Sequence, residues 1–201
     1  MRLVVTLFLS LFLSMFQSLC FAQAPREIGG FALGADVSDY AQLVKTETTL
    51  PIRFLEFLEE VEIKRNEFFK SGYLAYGICA TPGSVVRIKL KYADSSKDFF
   101  ENLLARYKKR YGKPSEWLGD SFHVTLGWKW SFQENGDNID LFLLHNTRDE
   151  EKKIGNSMKL TINNLIDSER QCFETKYPDF RKPVEVIESG NEKDWNKLMP
   201  N

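Results

Sequence analysis

The sequence predicts an α+β protein: an antiparallel sheet of about six strands with helices packed on one face, in the order α-βββ-α-βββ-α. Two observations predict this class. Residues 85–92 and 122–132 alternate apolar and polar side chains, as half-buried strands do. Residues 95–111 carry an apolar stripe at helical spacing. The chain shows no glycine-rich phosphate loop followed by a parallel crossover, so we do not expect a nucleotide-binding fold.

The first 22 residues predict an export signal that precedes this fold. Arg2 is followed by an uncharged, mostly apolar run that ends in small residues, the pattern of a secretory signal peptide. We expect cleavage after Ala22, because cleavage after Ala24 would leave Pro25 beside the cut bond, where its fixed φ fits a protease groove poorly. The mature protein is then periplasmic or secreted. The alternative is an uncleaved leader that anchors the chain in the inner membrane, since about 20 apolar residues can span a bilayer.

The first half of the mature chain begins with a predicted helix capped by Asp36 and running to about Val44. Residues 54–64 predict a strand, although glutamates interrupt the alternation. A hairpin follows, with strands at 73–80 and 85–92. Pro82 and Gly83 suit the two central positions of a type II turn between those strands.

The second half begins with the helix over 95–111, for which we predict Ser95 as the N-cap, with Asp94 as the alternative, and Gly112 as the C-cap. Asn135 and Gly136 predict a tight turn between two strands. The other predicted elements are strands at 122–132, 139–145 and 158–162, a helix at 165–177 and a polar tail at 178–201. The predicted single domain is therefore residues 23–177, and each half is read as one helix followed by three strands.

The composition limits the classes of partner. The chain has 27 Lys and Arg against 28 Asp and Glu. This near-neutral balance argues against a nucleic-acid partner, whose binding depends on clustered positive charge. Sixteen Phe and four Trp supply large apolar surfaces for one core.

Cys79 and Cys172 are the two cysteines that remain after cleavage. In an oxidising compartment they are candidates for a disulfide. The alternative is two separate buried thiols, and the sequence leaves both interpretations open because it does not give the distance between the two Cα atoms.

Four residues are candidates for ligand binding. Arg87, Lys89 and Lys91 form a cationic row on one face of a predicted strand, which Lys129 and Lys159 extend, and such a row suits an anionic partner. The alternative is a solvated face paired across strands with Glu60 and Glu62. The fourth candidate, Trp117, lies in a connection after a helix and is a candidate exposed aromatic contact.

No catalytic, metal or cofactor site is predicted. His123 and His145 lack the short ligand spacing of metal motifs, and the chain contains no Gly-x-Ser-x-Gly elbow. Acids are plentiful, but nothing in the sequence selects two of them for glycoside hydrolysis.

The function predicted from the sequence is that of a small exported protein of the cell envelope, a non-catalytic binding or assembly module. Its expected partner is an envelope protein, an anionic lipid or a glycan. The alternatives are an envelope hydrolase that uses unidentified carboxylates and an accessory protein held at the membrane by its uncleaved leader.

Overall fold

The computed structural model describes residues 23–121, 124–146 and 155–180. The predicted export signal, His123 and the tail from residue 181 onward lie outside the described residues. The small elements are β1 (Glu27–Ile28), β2 (Phe31–Ala32) and a 3-10 helix (Val37–Tyr40). The strands of the first half are β3 (Val44–Ile52), β4 (Leu55–Ile63), β5 (Phe69–Gly77) and β6 (Val85–Tyr92), followed by helix α1 (Lys97–Tyr111). The second half contains β7 (Glu116–Trp117), β8 (Thr125–Glu134), β9 (Asp137–Asn146), β10 (Gly155–Ile162) and helix α2 (Asn163–Lys176).

Eight strands form one antiparallel sheet in the order β3-β4-β5-β6-β10-β9-β8-β7. The predicted fold class was therefore wrong. The described part of the chain is mostly β, with two α-helices where three helices on about six strands were predicted. Each half is a meander of four strands followed by a helix, so the predicted order within the halves was also reversed.

The first predicted helix is replaced by a short 3-10 helix and an edge strand. Asp36 does act as a cap, because its carboxylate accepts a hydrogen bond from Ser38 N, but the helical turn ends at Tyr40. Strand β3 follows, in a segment rich in threonine, which favours extended structure. A register shift between Lys45 and Leu50 shows that β3 bulges away from β4. Such bulges are common at sheet edges, and they obscure the alternation by which a strand is recognised in sequence.

Two turns and the long helix follow the sequence prediction closely. Ser84 N donates to Thr81 O at 3.0 Å and Gly83 has a φ of 84°, as the predicted turn requires. Asn135 and Gly136 both have positive φ, which a two-residue hairpin turn needs. Helix α1 begins at Lys97, two residues after the predicted start of the helix at residue 95.

The N-cap of α1 is Ser96, whose hydroxyl accepts a hydrogen bond from Phe99 N. The predicted cap, Ser95, lies one residue outside. Asp94 accepts from Ser96 N and so supports the cap from the preceding turn.

We call the buried side of the sheet the inner face. A row of buried apolar side chains crosses the centre of this face, in register across six strands. The row consists of Val61, Leu74, Ile88, Leu160, Leu141 and Trp130. Helix α1 packs on the second half, where Tyr107 contacts the Trp130 ring edge-on. Helix α2 packs against strands of the first half, where Arg170 lies over the Phe57 ring. Each helix thus covers the half to which it does not belong.

The opposite side of the sheet is the outer face, where the alternating side chains of the same strands point away from the inner row. Lys89 on this face is exposed, and Tyr73 and Phe142 are half-buried. Within the described residues, neither α-helix is long and apolar enough to cross a membrane.

Candidate functional site

A single row of side chains crosses all eight strands on the outer face. Residue pairing joins its members one strand at a time. In strand order the row is Lys45, Glu62, Tyr73, Lys89, Lys159, Phe142, Lys129 and Glu116. Lys89 and Lys159 are opposite each other at its middle, where the two halves of the sheet meet, and an aromatic residue lies on each side of the pair. Like charges directly opposite on neighbouring strands repel, so this arrangement costs stability when nothing lies between them.

The next pair along the same two strands is Arg87 on β6 and Thr161 on β10. Thr161 is buried and Arg87 is half-buried. Among the described residues, the buried side-chain atoms without a hydrogen-bond partner are Arg87 Nε and Thr161 Oγ1. A buried polar atom without a partner usually costs about 1–3 kcal/mol. Both such atoms therefore fall at one point of the sheet, beside the two opposed lysines.

We call Arg87, Lys89, Lys159 and Thr161 the central cation cluster. Burial lowers the pKa of Lys159, and the positive charges of Arg87 and Lys89 lower it further. Burial also lowers the pKa of Arg87, while Glu60 acts in the opposite direction. The Lys159 ammonium lies 3.8 Å from the centroid of the Phe142 ring, so a cation–π contact holds it in place.

The acids of the outer face are largely paired with cations outside the cluster. Glu62 accepts a hydrogen bond from Lys45 at 2.8 Å. On the other side, Lys129 lies 3.4 Å from Asp140 and 3.9 Å from Glu116. Burial opposes ionisation of Asp140, but hydrogen bonds from Ser131 and Asn163, together with Lys129, lower its pKa overall.

The alternative predicted for Arg87, Lys89 and Lys91 is cross-strand pairing with two glutamates of β4, Glu60 and Glu62. Strand β5 lies between β4 and β6, so these glutamates are not directly opposite the three cations. Ala75 of β5 stands between Glu60 and Arg87 in the register. Glu60 therefore acts on Arg87 only through space, where its charge raises the Arg87 pKa against the larger, opposite effect of burial. Lys91 lies opposite Ser157, farther along β6.

Trp117 lies apart from the cluster. It sits on the short edge strand β7 opposite Trp128, is 46% exposed, and occupies the strand position after Glu116, so its side chain is on the other face. The structure thus brings Arg87 and Lys89 together with Lys159 and leaves Trp117 as a separate edge feature.

Cys79 and Cys172 form a disulfide, with 5.8 Å between their Cα atoms. The bond joins the loop after β5 to helix α2. One helical turn earlier, the fully buried Glu169 carboxylate accepts hydrogen bonds from the backbone N–H groups of residues 78–81 and from the Thr81 hydroxyl, at 2.6–3.1 Å. Sequence reasoning missed Glu169. The available signal was that Glu169 lies three residues before Cys172, which places both side chains on the same side of the predicted helix.

The predicted strand histidine His145 lines a cavity of about 560 Å³ beside the start of α1. Asn156 donates two hydrogen bonds to the carbonyl oxygens of Asp94 and Ser96, so its own oxygen faces His145 Nδ1 at 2.7 Å. This orientation requires the ring to carry its proton on Nδ1. Among the described residues, no group of three or more His, Cys, Asp or Glu side chains is placed to hold a metal ion.

Comparisons with protein-family models, curated proteins and solved structures gave no match for this chain. The function is therefore inferred from the geometry of the outer face.

Proposed function

We propose that the mature chain is an exported binding module of the cell envelope that holds an anionic partner against the outer face of its sheet. The observation that carries the proposal is the coincidence, in one cluster, of opposed lysines and buried donors without partners. A folded protein rarely leaves such groups together unless another molecule satisfies them.

The cluster differs from an ordinary solvated strand face in its charge balance. An ordinary face pairs opposite charges across strands, as the Lys45–Glu62 and Lys129–Asp140 pairs do at the flanks. At the centre of the sheet, Lys89 faces another cation. A bound anion would relieve this repulsion, and a partly buried site would make that interaction stronger than one in bulk water.

Two features support the exported location in this proposal. The first is the leader, with cleavage after Ala22. The second is the Cys79–Cys172 disulfide, because stable disulfides belong to oxidising compartments such as the periplasm. Protein purified from its native host should begin at Gln23. Recovery of the intact leader in a carbonate-resistant membrane fraction would support the anchored alternative instead.

Binding can be tested by retention of the purified mature protein on immobilised dextran sulfate, with uncharged dextran as the blank. Lys89→Glu combined with Lys91→Glu should abolish retention at physiological ionic strength, since it replaces two cations on the outer face of β6 with acids. The matched control is Lys109→Glu with Lys113→Glu, two exposed residues at the end of α1 and just beyond it. Equal loss of retention in both double variants would show that net charge, and not this surface, governs binding.

A further inference from the structure

We propose that the central cation cluster is a binding site for one tetrahedral, doubly charged oxyanion group, a phosphate monoester, carried by a narrow ligand and not by a membrane surface. This inference rests on the proposed function and specifies its ligand. It follows from the charge, the donors and the width of the cluster.

The charge of the cluster indicates a group with more than one negative charge. Three cations, Arg87, Lys89 and Lys159, lie on two residue pairs that are neighbours along β6 and β10. None of them has an acid within ion-pair distance among the described residues, where the ion pairs of this face belong to Lys45 and Lys129. A carboxylate would neutralise one of the three cations, whereas a phosphate monoester carries close to two negative charges near neutral pH.

The donors of the cluster suit a tetrahedral acceptor. Arg87 Nε–H and the Thr161 hydroxyl have no hydrogen-bond partner within the described part of the chain, and they belong to directly opposed residues on the adjacent strands β6 and β10. Directly opposed residues have Cβ atoms about 4.5–5.5 Å apart, so one group of several oxygens can accept from both. The two lysines of the adjacent pair add ammonium groups, which bind phosphate as point charges.

The width of the cluster argues against a bilayer as the source of the anion. Its cations lie on two neighbouring strands, which are about 4.8 Å apart. Beyond them, Glu62 is paired with Lys45, and Asp140, which is opposite Thr161 in the register and also acts on Lys159, lies 3.4 Å from Lys129. These flanking pairs are close to neutral and add little attraction, whereas a membrane surface is best bound by a broad cluster of cations. A narrow ligand that carries a single phosphate monoester matches the width of the central cation cluster.

The first experiment measures binding of inorganic phosphate and inorganic sulfate to the mature protein by calorimetry at constant ionic strength, with acetate as the singly charged control. Saturable binding of phosphate or sulfate, and none of acetate, is expected. Lys159→Gln should weaken phosphate binding about tenfold or more, because it removes a charged donor. Lys109→Gln, on α1, should leave binding unchanged.

Thr161→Val separates ligand binding from folding. Valine has nearly the shape of threonine but no hydroxyl, so it removes a buried polar atom that has no hydrogen-bond partner among the residues that the structure describes. The melting temperature without ligand should stay level or rise, while phosphate affinity falls several-fold. Thr46→Val on the exposed edge strand β3 is the matched control. Unchanged phosphate affinity in Thr161→Val would overturn the assigned position of the anion.

Two further outcomes distinguish this inference from the proposed function. If dextran sulfate still retains the protein through Lys89 while inorganic phosphate and sulfate show no saturable binding, the oxyanion site is wrong and the wider anionic surface remains. If phosphatidylglycerol vesicles bind the protein and phosphate does not, a membrane is the partner and the narrow-ligand inference is overturned. Absence of every one of these interactions would remove both.

Discussion

Replacing Glu169 with glutamine should destabilise the protein more than its single-atom change suggests. Glu169 Oε2 accepts from the N–H groups of Ile78, Cys79 and Ala80, and Oε1 accepts from the N–H and the hydroxyl of Thr81. A glutamine can keep its oxygen at the first position, but its NH2 group then faces the Thr81 N–H, donor against donor. One hydrogen bond to a charged acceptor is lost, worth about 1.5–3 kcal/mol, and three others become neutral and lose about 0.5–1 kcal/mol each.

The expected loss for Glu169→Gln is therefore about 3–6 kcal/mol, a large part of a typical folding free energy. The assay is urea unfolding of the oxidised protein, followed by circular dichroism. Glu174→Gln, at an exposed site on the same helix, is the control and should fall within about 0.5 kcal/mol of wild type. If Glu169→Gln lies within about 1 kcal/mol of that control, the carboxylate does not hold the loop to α2 as described.

Three other predictions concern the same loop and the cation cluster. Cys79→Ser with Cys172→Ser opens a loop spanning 93 residues and should lower the unfolding free energy by about 4–5 kcal/mol in the chain-entropy model; a loss below 1 kcal/mol in urea unfolding would contradict this. Gly77→Ala would place its Cβ 2.3 Å from Glu169 Oε1, so thermal unfolding should show a loss of about 1–3 kcal/mol, and wild-type stability would refute that contact. The pKa of Lys159 is lowered, so its ammonium loses a proton at a lower pH than the ammonium of an exposed lysine does. Phosphate affinity should therefore begin to fall at that lower pH. Lys159→Arg should remove this fall in calorimetry, and an unchanged pH profile would exclude Lys159 as its cause.

The elements with regular periodicity could be predicted from the sequence, and the arrangement of the sheet could not. Strands β6 and β8 and helix α1 each repeat one pattern along their length, because each has one buried face. Strand β3 lies at an edge and bulges, so burial imposes no strict alternation on it. Strand β7 has two residues, too few for any period.

The candidate site was predicted in part for the same reason. The alternation in β6 placed Arg87, Lys89 and Lys91 on one face, as the register shows. Which residues lie opposite them depends on the pairing of β6 with β10, across a separation of about seventy residues. Local sequence carries no signal for such pairing. The hydrogen-bond donors to Glu169 could not be predicted for a similar reason, because most of them are backbone N–H groups of a loop that is distant in sequence.

The most direct test of the oxyanion site is the side-chain Nε–H signal of Arg87 in ¹H–¹⁵N spectra during a phosphate titration. Among the described residues, this hydrogen has no hydrogen-bond partner. It should shift downfield on binding and reach saturation at the phosphate concentration found by calorimetry, and Thr161→Val should weaken that response. An Arg87 signal that stays fixed while phosphate binds elsewhere would contradict the account.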